Sequence, residues 1–140
     1  NMKMTRKQVR DENKQTEGDP HVKAKIRQLR SERSRQRMMQ AVPEATVVVT
    51  NPTHYAVALK YEPETMKAPE VTAKGTDAVA FRIRALAREH RVPVIENRPL
   101  ARALHGDVEV GQTIPTKHFE AVADVIGFVM RQRAAGAAGP

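Results

Sequence analysis

The chain of 140 residues contains no cysteine and no tryptophan, and only three phenylalanines and two tyrosines. Without cysteine it can form neither disulfides nor thiolate metal sites, which fits a reducing compartment. No stretch approaches the roughly 18–20 apolar residues of a membrane helix, and no secretory signal pattern stands at the N-terminus. With so few aromatic residues, the core has to be built from Val, Ile, Leu and Ala, and the length allows one compact domain plus an extension.

Acidic residues are scarce in the first part of the chain, which makes it strongly basic. Residues 1–40 hold 12 Lys/Arg against 5 Asp/Glu, whereas residues 41–140 hold 12 against 11, so nearly all of the net charge of +8 lies in an N-terminal arm. Such an arm can bind nucleic acid, bind anionic lipid or form a solvated helix, and the composition leaves all three open. The lack of aromatics among its basic residues argues against stacking on single-stranded nucleic acid.

Because the chain opens on Asn1 rather than Met, we expect a piece of a longer protein.

The arm is predicted to be helical, in two pieces. Residues 4–16 are polar and helix-tolerant, and residues 17–20 interrupt them. A second helix is expected to run to about Gln40, since Asp19 is a good N-cap and the proline after it favours the first helical position. Gly18 is the natural hinge between the two pieces.

Short apolar runs and one helical stripe predict an α/β domain after the arm. The runs that are typical of strands lie at residues 46–50, 54–60, 71–74 and 92–96. Gly75 is expected to break the chain after the third run. A helix over residues 77–90 follows, because Val79, Ile83 and Ala87 fall on one face and Asp77 favours the helix dipole. Strand, helix and strand in this spacing suggest a βαβ unit.

Two further helices complete the prediction, a short one that starts at Asn97 or Arg98 and runs through Leu104, and a last one capped by Thr116. The expected fold is therefore α/β, with a small mixed four-stranded sheet flanked by helices and preceded by a long basic N-terminal helix. The expected domains are a basic helical linker arm at 1–42 with a hinge near 17–20, a globular domain at 43–133 and a flexible tail at 134–140.

Residues 51–54, Asn-Pro-Thr-His, lie between the first two predicted strands. An Asn-Pro pair between strands is first of all a turn, and for most such pairs a turn is the whole explanation. This pair also has a special chemistry. In an ordinary Asn bond the next residue's N–H attacks the side chain and deamidates it, but proline has no N–H, so that route is closed at Asn51.

The reverse attack stays open at Asn51. Its side-chain nitrogen can attack its own backbone carbonyl, form a succinimide and expel the nitrogen of Pro52, which cuts the chain between these residues. Nucleophile and electrophile lie in one residue, and well-oriented intramolecular reactions gain about 7–11 kcal/mol from proximity. The imidazole of His54 is predicted to move protons and the Thr53 hydroxyl to brace the turn. No metal, cofactor or external nucleophile is needed. Each molecule can cut itself only once, so we do not expect a turnover enzyme.

The remaining histidines do not indicate a metal site. They are His21, His90, His105 and His118, which are scattered with no carboxylate or second histidine at ligand spacing. A multiple-turnover hydrolase is not indicated either, because no constellation of nucleophile, base and acid is recognisable.

The motif at residues 51–54 has companions along the chain. They lie at residues 14–20, 37–39, 55–61, 68–75, 99–104 and 110–115. In this order they resemble the cytoplasmic domain of the FlhB/YscU family of type III secretion export-switch proteins, and the flagellar members fit better than the virulence-secretion members. The resemblance covers residues 14–131. One departure is Arg98, where the family pattern has a proline, and it is not expected to affect cleavage.

The resemblance implies a biological role for the cut. Similar proteins switch the substrate specificity of the flagellar type III export apparatus, and cleavage remodels their surface. The implied partners are the flagellar export-gate membrane protein, the hook-length control protein and export substrates, with no nucleic acid expected. The arm would join an upstream membrane domain of the same protein at the cytoplasmic face of the bacterial inner membrane, and its basic residues fit the positive-inside rule.

The resemblance also points to a docking surface for substrate signals. Its predicted residues are Ala68 and Pro69 in a loop, with Ala123 and Ile126 on the last helix. An ordinary surface loop is an equally good explanation of the first pair.

A function of a different class remains as an alternative. In it, the chain is a basic nucleic-acid- or lipid-binding module, and Asn51-Pro52 is a plain turn. Salt separates the two hypotheses, since phosphate binding weakens steeply with added salt, whereas an intramolecular cyclisation is nearly indifferent to it.

Overall fold

The structure, a computed structural model, describes residues 18–137. By its internal packing the chain divides into two units, residues 1–36 and residues 37–140. The described part consists, in order, of helix α1 (Pro20–Ala41), strands β1 (Val47–Asn51), β2 (Tyr55–Lys60) and β3 (Glu70–Thr76), helix α2 (Asp77–Glu89), strand β4 (Val94–Glu96), and helices α3 (Arg98–Asp107) and α4 (Phe119–Ala137). Short 3-10 turns at Val42–Glu44 and Thr116–His118 precede β1 and α4. The predicted polar piece at residues 4–16 lies outside the described residues.

Within the first unit, helix α1 begins where the sequence predicts. The side chain of Asp19 accepts hydrogen bonds from the backbone N–H groups of His21 at 2.9 Å and Val22 at 3.4 Å, which is the N-cap arrangement. The helix is rich in Arg, Lys and Gln, which favour helix, and its residues 20–36 are all exposed. No helix among residues 18–137 is long and apolar enough to cross a membrane. The hinge at Gly18 stays a prediction.

The second unit contains one mixed sheet with the strand order β3-β2-β1-β4. Strand β2 pairs antiparallel with both β1 and β3, whereas β4 joins the free side of β1 in parallel. The predicted α/β fold with a small mixed four-stranded sheet flanked by helices is therefore confirmed. Helix α2 connects the two edge strands, β3 and β4, and therefore passes over the central strands β2 and β1.

Helices cover both faces of the sheet. Successive residues of a strand point to opposite faces, and both sets are apolar here, so both faces have to be buried. On one face, α3 and α4 pack against large aliphatic side chains, which include Val47, Val49, Val57 and Leu59. On the other, α2 and Met38 pack against smaller ones, which include Val48, Ala56, Ala58 and Ala73. The second layer lies very close to the sheet, since a Cβ at Gly75 would overlap the side chain of Val79. Only glycine fits at that point of β3.

All four strands differ from their predicted bounds, β1 and β2 by at most one residue at an end and β3 and β4 by up to two. Strand β3 spans Glu70–Thr76, so Gly75 lies inside the strand and does not break it. The reason is that pairing with β2 continues to the last residue before α2. Strand β4 begins only at Val94, because the N–H of Val92 bonds back to α2 and Pro93 has no N–H to offer a ladder.

The last two helices also differ from the prediction. Helix α3 continues beyond the predicted end at Leu104 to Asp107. Thr116 does not cap the last helix, since it is the first residue of the 3-10 turn and α4 begins three residues later at Phe119. Helix α4 runs to Ala137, into the predicted tail, because the alanines there favour helix. The flexibility of the tail stays a prediction.

Candidate functional site

A tight turn at residues 51–54 joins β1 to β2. Asn51, the last residue of β1, pairs with Tyr55, the first residue of β2. The backbone N–H of His54 donates a hydrogen bond of 2.8 Å to the carbonyl oxygen of Asn51, which closes a β-turn. Pro52 occupies the second position of that turn, where its fixed φ is favoured. Two well-paired strands and a proline thus hold this segment in one conformation.

Neighbouring strands on both sides hold the end of β1 that leads into the turn. Thr50 pairs with Ala56 of β2 and with Glu96 of β4. Its carbonyl oxygen also accepts a hydrogen bond of 2.9 Å from the N–H of Asn97. The backbone that enters the turn therefore cannot move without breaking the pairing of a central strand.

The carbonyl group of Asn51 is the one that the predicted cyclisation attacks. The backbone N–H of His54 donates to this carbonyl oxygen at 2.8 Å, and backbone donors aimed at an oxygen that gains negative charge stabilise an oxyanion. A negative charge that forms on this oxygen would meet a donor that is already in place. Asn51 and Pro52 are half-buried and His54 is exposed, so the turn is fixed while its imidazole is open to water.

A carboxylate that the sequence analysis missed lies beside the turn. The Oδ1 atom of Asp77 is 3.7 Å from Nδ1 of His54, and the backbone N–H of Asp77 donates to the carbonyl oxygen of His54 at 3.2 Å. The register between β2 and β3, in which Tyr55 pairs with Thr76, brings Asp77 there. One sequence signal exists, namely that Asp77 closely follows the third predicted strand. The pairing register of β2 with β3, which brings Asp77 beside the turn, cannot be predicted from residue spacing.

The turn and Asp77 line a shallow groove that we call the cleavage groove, after the cut predicted between Asn51 and Pro52. Its lining residues are Asn51, His54, Tyr55, Thr76, Asp77 and Arg102. The structure thus brings Asn51 and His54 together, and it adds the cation of Arg102 from α3, which the sequence analysis also missed. Thr53 is exposed. The predicted brace of the turn by its hydroxyl stays a prediction.

Tyr55 connects the cleavage groove to helix α3. Its ring lies 5.0 Å from the ring of His105, measured between centroids. Burial, and then the positive charge of Lys74, lower the pKa of His105, against the opposing effect of Glu109. The Nζ atom of Lys74 donates to the carbonyl oxygen of His105 at 2.8 Å. His105 therefore packs against Tyr55 as a neutral ring at neutral pH.

A second groove, which we call the apolar groove, lies beyond the other end of β2. It measures about 340 Å³ and is lined by Tyr61, Lys67, Ala68, Pro69, Phe119, Ala123, Ile126 and Gly127. All four residues that were predicted for substrate docking are among them. The loop residues and the α4 residues are distant in sequence, and the structure brings them into one surface. Their role in binding stays a prediction.

The one departure from the family pattern, Arg98, has a simple structural setting. It is the first residue of α3 and forms an exposed ion pair with Glu96 at 3.8 Å. The side chain of Asn97 caps the same helix by accepting a hydrogen bond from the N–H of Leu100 at 3.3 Å. Arg98 does not line the cleavage groove, in line with the expectation that the departure leaves the turn unaffected.

Comparison with known proteins gives a family match over nearly the whole chain. The model of the FlhB HrpN YscU SpaS Family matches residues 1–129. The flagellar biosynthetic protein FlhB of Salmonella typhimurium is 51% identical over 142 residues, which cover 99% of this chain and 37% of that protein. The FlhB of Bacillus subtilis is 49% identical over 133 residues, covering 95% of this chain and 37% of that protein. The chain spans little more than a third of the length of these curated relatives.

Solved structures show the same likeness in three dimensions. The crystal structure of the cytoplasmic domain of FlhB from Shewanella putrefaciens matches with a TM-score of 0.68 and 46% identity, covering 73% of this chain and 80% of that chain. A mutated EscU C-terminal domain matches with a TM-score of 0.64 and 38% identity, covering 66% of this chain and 98% of that chain. Fold and sequence agree in both cases.

Proposed function

Because the chain belongs to the FlhB HrpN YscU SpaS family, as its sequence resemblance predicted, we propose that it is the cytoplasmic part of a flagellar type III export protein that cuts itself between Asn51 and Pro52. The cut prepares the export apparatus to change from rod-and-hook subunits to filament subunits. The observation that carries this proposal is the hydrogen bond from the His54 N–H to the Asn51 carbonyl oxygen at 2.8 Å, because it polarises the carbonyl group that the side-chain nitrogen attacks.

The cut is a cyclisation within Asn51. The side-chain nitrogen attacks the backbone carbonyl carbon of the same residue, a carbon–nitrogen bond forms, and the carbonyl oxygen takes up negative charge. The backbone N–H of His54 stabilises that charge. The intermediate then collapses and the bond to Pro52 breaks. A C-terminal succinimide remains on Asn51, and water later opens it to a carboxylate.

One proton moves during this reaction, from the attacking amide to the leaving nitrogen of Pro52. The imidazole of His54 carries it, acting first as a general base and then as a general acid. Such catalysis contributes about 10²–10⁴ in rate. Proline at position 52 has a further effect, since it removes the N–H that would otherwise divert Asn51 into deamidation. Each molecule reacts once, so the protein is not a turnover enzyme.

The two pieces stay together after the cut. Strand β1 ends at the cut and lies between β2 and β4, with hydrogen bonds on both sides. Its Val47, Val48 and Val49 are fully buried. The cut removes one covalent bond and leaves this packing in place. What changes is the turn, which gains a charged amine on Pro52 and a new chain end at Asn51.

The partners follow from the same proposal. Export substrates dock in the apolar groove, where Ala68, Pro69, Ala123 and Ile126 present a largely apolar surface. The export-gate membrane protein and the hook-length control protein act on the same domain. A membrane domain that precedes the chain holds it at the cytoplasmic face of the inner membrane, and the basic residues of α1 suit that flank.

The decisive experiment is intact-mass measurement and denaturing gel electrophoresis of the purified chain beside Asn51→Ala. We expect two fragments that meet at Asn51/Pro52 in the parent and one intact chain in the variant. Pro63→Ala, which changes a loop proline outside the cleavage groove, serves as the matched control and should cut like the parent. A parent that stays intact for days at neutral pH would reduce the motif to a plain turn.

One observation favours the alternative function, a basic nucleic-acid- or lipid-binding module. Residues 20–36 of α1 are all exposed and rich in Lys and Arg. Binding of duplex DNA or anionic vesicles that falls steeply between 50 and 200 mM salt, roughly 10³-fold or more, together with an uncut chain, would support that function instead.

A further inference from the structure

Strand β3 passes into helix α2 without an intervening loop. The strand ends at Thr76 and the helix begins at Asp77. Thr76 is extended and its side chain makes no capping hydrogen bond, whereas Asp77 has a φ of 45°, in the left-handed region that most L-residues avoid. A non-glycine residue in this region carries backbone strain, and such outliers concentrate at functional sites.

The strained junction places Asp77 against the turn at residues 51–54 through two contacts. Its backbone N–H donates to the carbonyl oxygen of His54 at 3.2 Å, and its carboxylate oxygen lies 3.7 Å from Nδ1 of His54. The first contact fixes the backbone of Asp77 relative to the turn. The second brings opposite charges together whenever the imidazole is protonated.

The side chain of His54 has few other constraints. It is 68% exposed and that of Asp77 is 80% exposed, so packing does not hold the imidazole. Within residues 18–137, the pair with Asp77 is the one polar contact of the His54 side chain. The other charged residue of the cleavage groove is Arg102 on α3, which has the same sign as a protonated imidazole.

We propose that Asp77 is a positioning residue of the self-cleavage, whose carboxylate orients the His54 imidazole through Nδ1 and leaves Nε2 to carry the reacting proton. The inference rests on the proposed function. A carboxylate that pairs with one imidazole nitrogen sets the tautomer and the direction of the other. The separation of 3.7 Å is long for a hydrogen bond, and such contacts tighten when the reaction begins.

Acidic residues at the first turn of a helix also have a plain structural role, since they interact with the helix dipole. That role acts on the stability of α2 and does not depend on the presence of an imidazole at residue 54. The two roles can therefore be separated by changing Asp77 in the presence and in the absence of His54.

The test is a double-mutant cycle on the cleavage rate. The parent, Asp77→Asn, His54→Ala and the double variant are made by cell-free synthesis, and the uncut chain is followed by gel after a pulse of labelled methionine. Asparagine keeps the backbone N–H and tolerates the left-handed φ, so it removes the negative charge and exchanges one carboxylate oxygen for an NH₂ group while the backbone contact stays. Exposed ion pairs of this kind support an effect of about two- to fivefold. We expect Asp77→Asn to slow cleavage by that factor beside His54 and to have no effect in the His54→Ala chain.

Equal slowing in both backgrounds would overturn the proposal and leave a structural role. An unchanged rate for Asp77→Asn beside His54 would overturn it as well. Thermal unfolding of Asp77→Asn, compared with the parent, checks that both are folded to the same extent.

A second measurement separates this proposal from the self-cleavage on which it rests. In the Asn51→Ala chain, which cannot cyclise, the ¹⁵N resonances of the His54 imidazole are recorded with and without Asp77→Asn. We expect Nδ1 of His54 to shift and the imidazole of His118, which pairs with Asp107, to stay unchanged. An unshifted His54 would overturn the positioning role even if the parent cuts. An uncut parent with a shifted His54 would instead count against the proposed function.

Discussion

The two ends of strand β2 lead to two different kinds of groove. The cleavage groove at its start is lined by polar and charged side chains, and strand pairing and a backbone hydrogen bond fix its geometry. The apolar groove beyond its end is formed by side chains of a loop and of α4. The proposed reaction within one residue depends on the backbone, and it is proposed where the backbone is fixed. The proposed docking of different substrate sequences lies where side chains alone define the shape.

The two grooves share no lining residue, although they lie at the two ends of one strand. We therefore expect substitutions in one groove to leave the function of the other unchanged. The predictions below test that independence.

The largest effect is expected for His54→Ala. Loss of the general acid–base group should slow cleavage by about 100-fold, at the lower end of such contributions, because water can replace an exposed imidazole in part. The rate is measured by gel on freshly synthesised chain. Substrate-peptide binding to the apolar groove, measured in an Asn51→Ala background, should be the same with and without His54. A difference in that affinity would show that the grooves are coupled.

The next effect concerns Ala123→Asp in the apolar groove. A carboxylate on this exposed position should weaken binding of an N-terminal peptide from an export substrate by about tenfold, since apolar contact would require burial of a charge. Isothermal titration calorimetry measures the affinity. Ala134→Asp makes the same change on an exposed position of α4 outside the groove and should bind like the parent. If Ala123→Asp slowed cleavage, the expected independence would be wrong.

A smaller effect is expected for the pH dependence of stability, through His105, which lies near the cleavage groove. The pKa of His105 is lowered from 6.5 by burial and by Lys74, so the unfolded chain takes up a proton at a higher pH than the folded chain does. Stability should therefore fall as the pH drops below about 6.5. Urea unfolding of the uncleavable Asn51→Ala chain measures this, and adding His105→Gln should flatten the dependence. A dependence that persists without His105 would assign it to another group.

The smallest effect is expected for the stability at acid pH that comes from the connection between α3 and α4, next to the apolar groove. Oδ2 of Asp107 accepts a hydrogen bond of 2.8 Å from Nε2 of His118 and lies 3.2 Å from Nζ of Lys117. Both contacts lower the pKa of Asp107 from 3.8. Its contribution to stability should be complete above about pH 3.8 and disappear as the pH falls further. Asp107→Asn should abolish the loss of stability below about pH 3.8. The loss of stability below about pH 6.5, which is assigned to His105, should stay unchanged.

The sequence predicted the elements of the fold better than their ends. Short apolar runs and the stripe on α2 are local signals, so the four strands and the helix between the last two could be predicted directly. The end of β3 depends on its partner, because pairing with β2 carries the strand through Gly75. The start of β4 depends on a hydrogen bond from Val92 to the preceding helix.

The same distinction holds for the cleavage groove. Asn51, Pro52 and His54 are adjacent in sequence, and their chemistry could be predicted from that adjacency. Asp77 and Arg102 reach the groove only through the register of β2 with β3 and the docking of α3. Neither residue can be assigned to the groove from its distance along the sequence. The docking residues predicted for the apolar groove came from the family resemblance, since no local pattern connects residue 68 with residue 126.

If the chain is cut as proposed, the central position of β1 changes the molecularity of folding. An uncut chain folds in a first-order event whose equilibrium does not depend on dilution. In the cut form, the piece that ends at Asn51 would be a separate molecule that supplies one of the two central strands of the sheet, so assembly would become second order and its midpoint would rise with concentration. The lifetime of the cut form would then be set by a dissociation rate, which depends on how quickly β1 leaves both neighbouring strands.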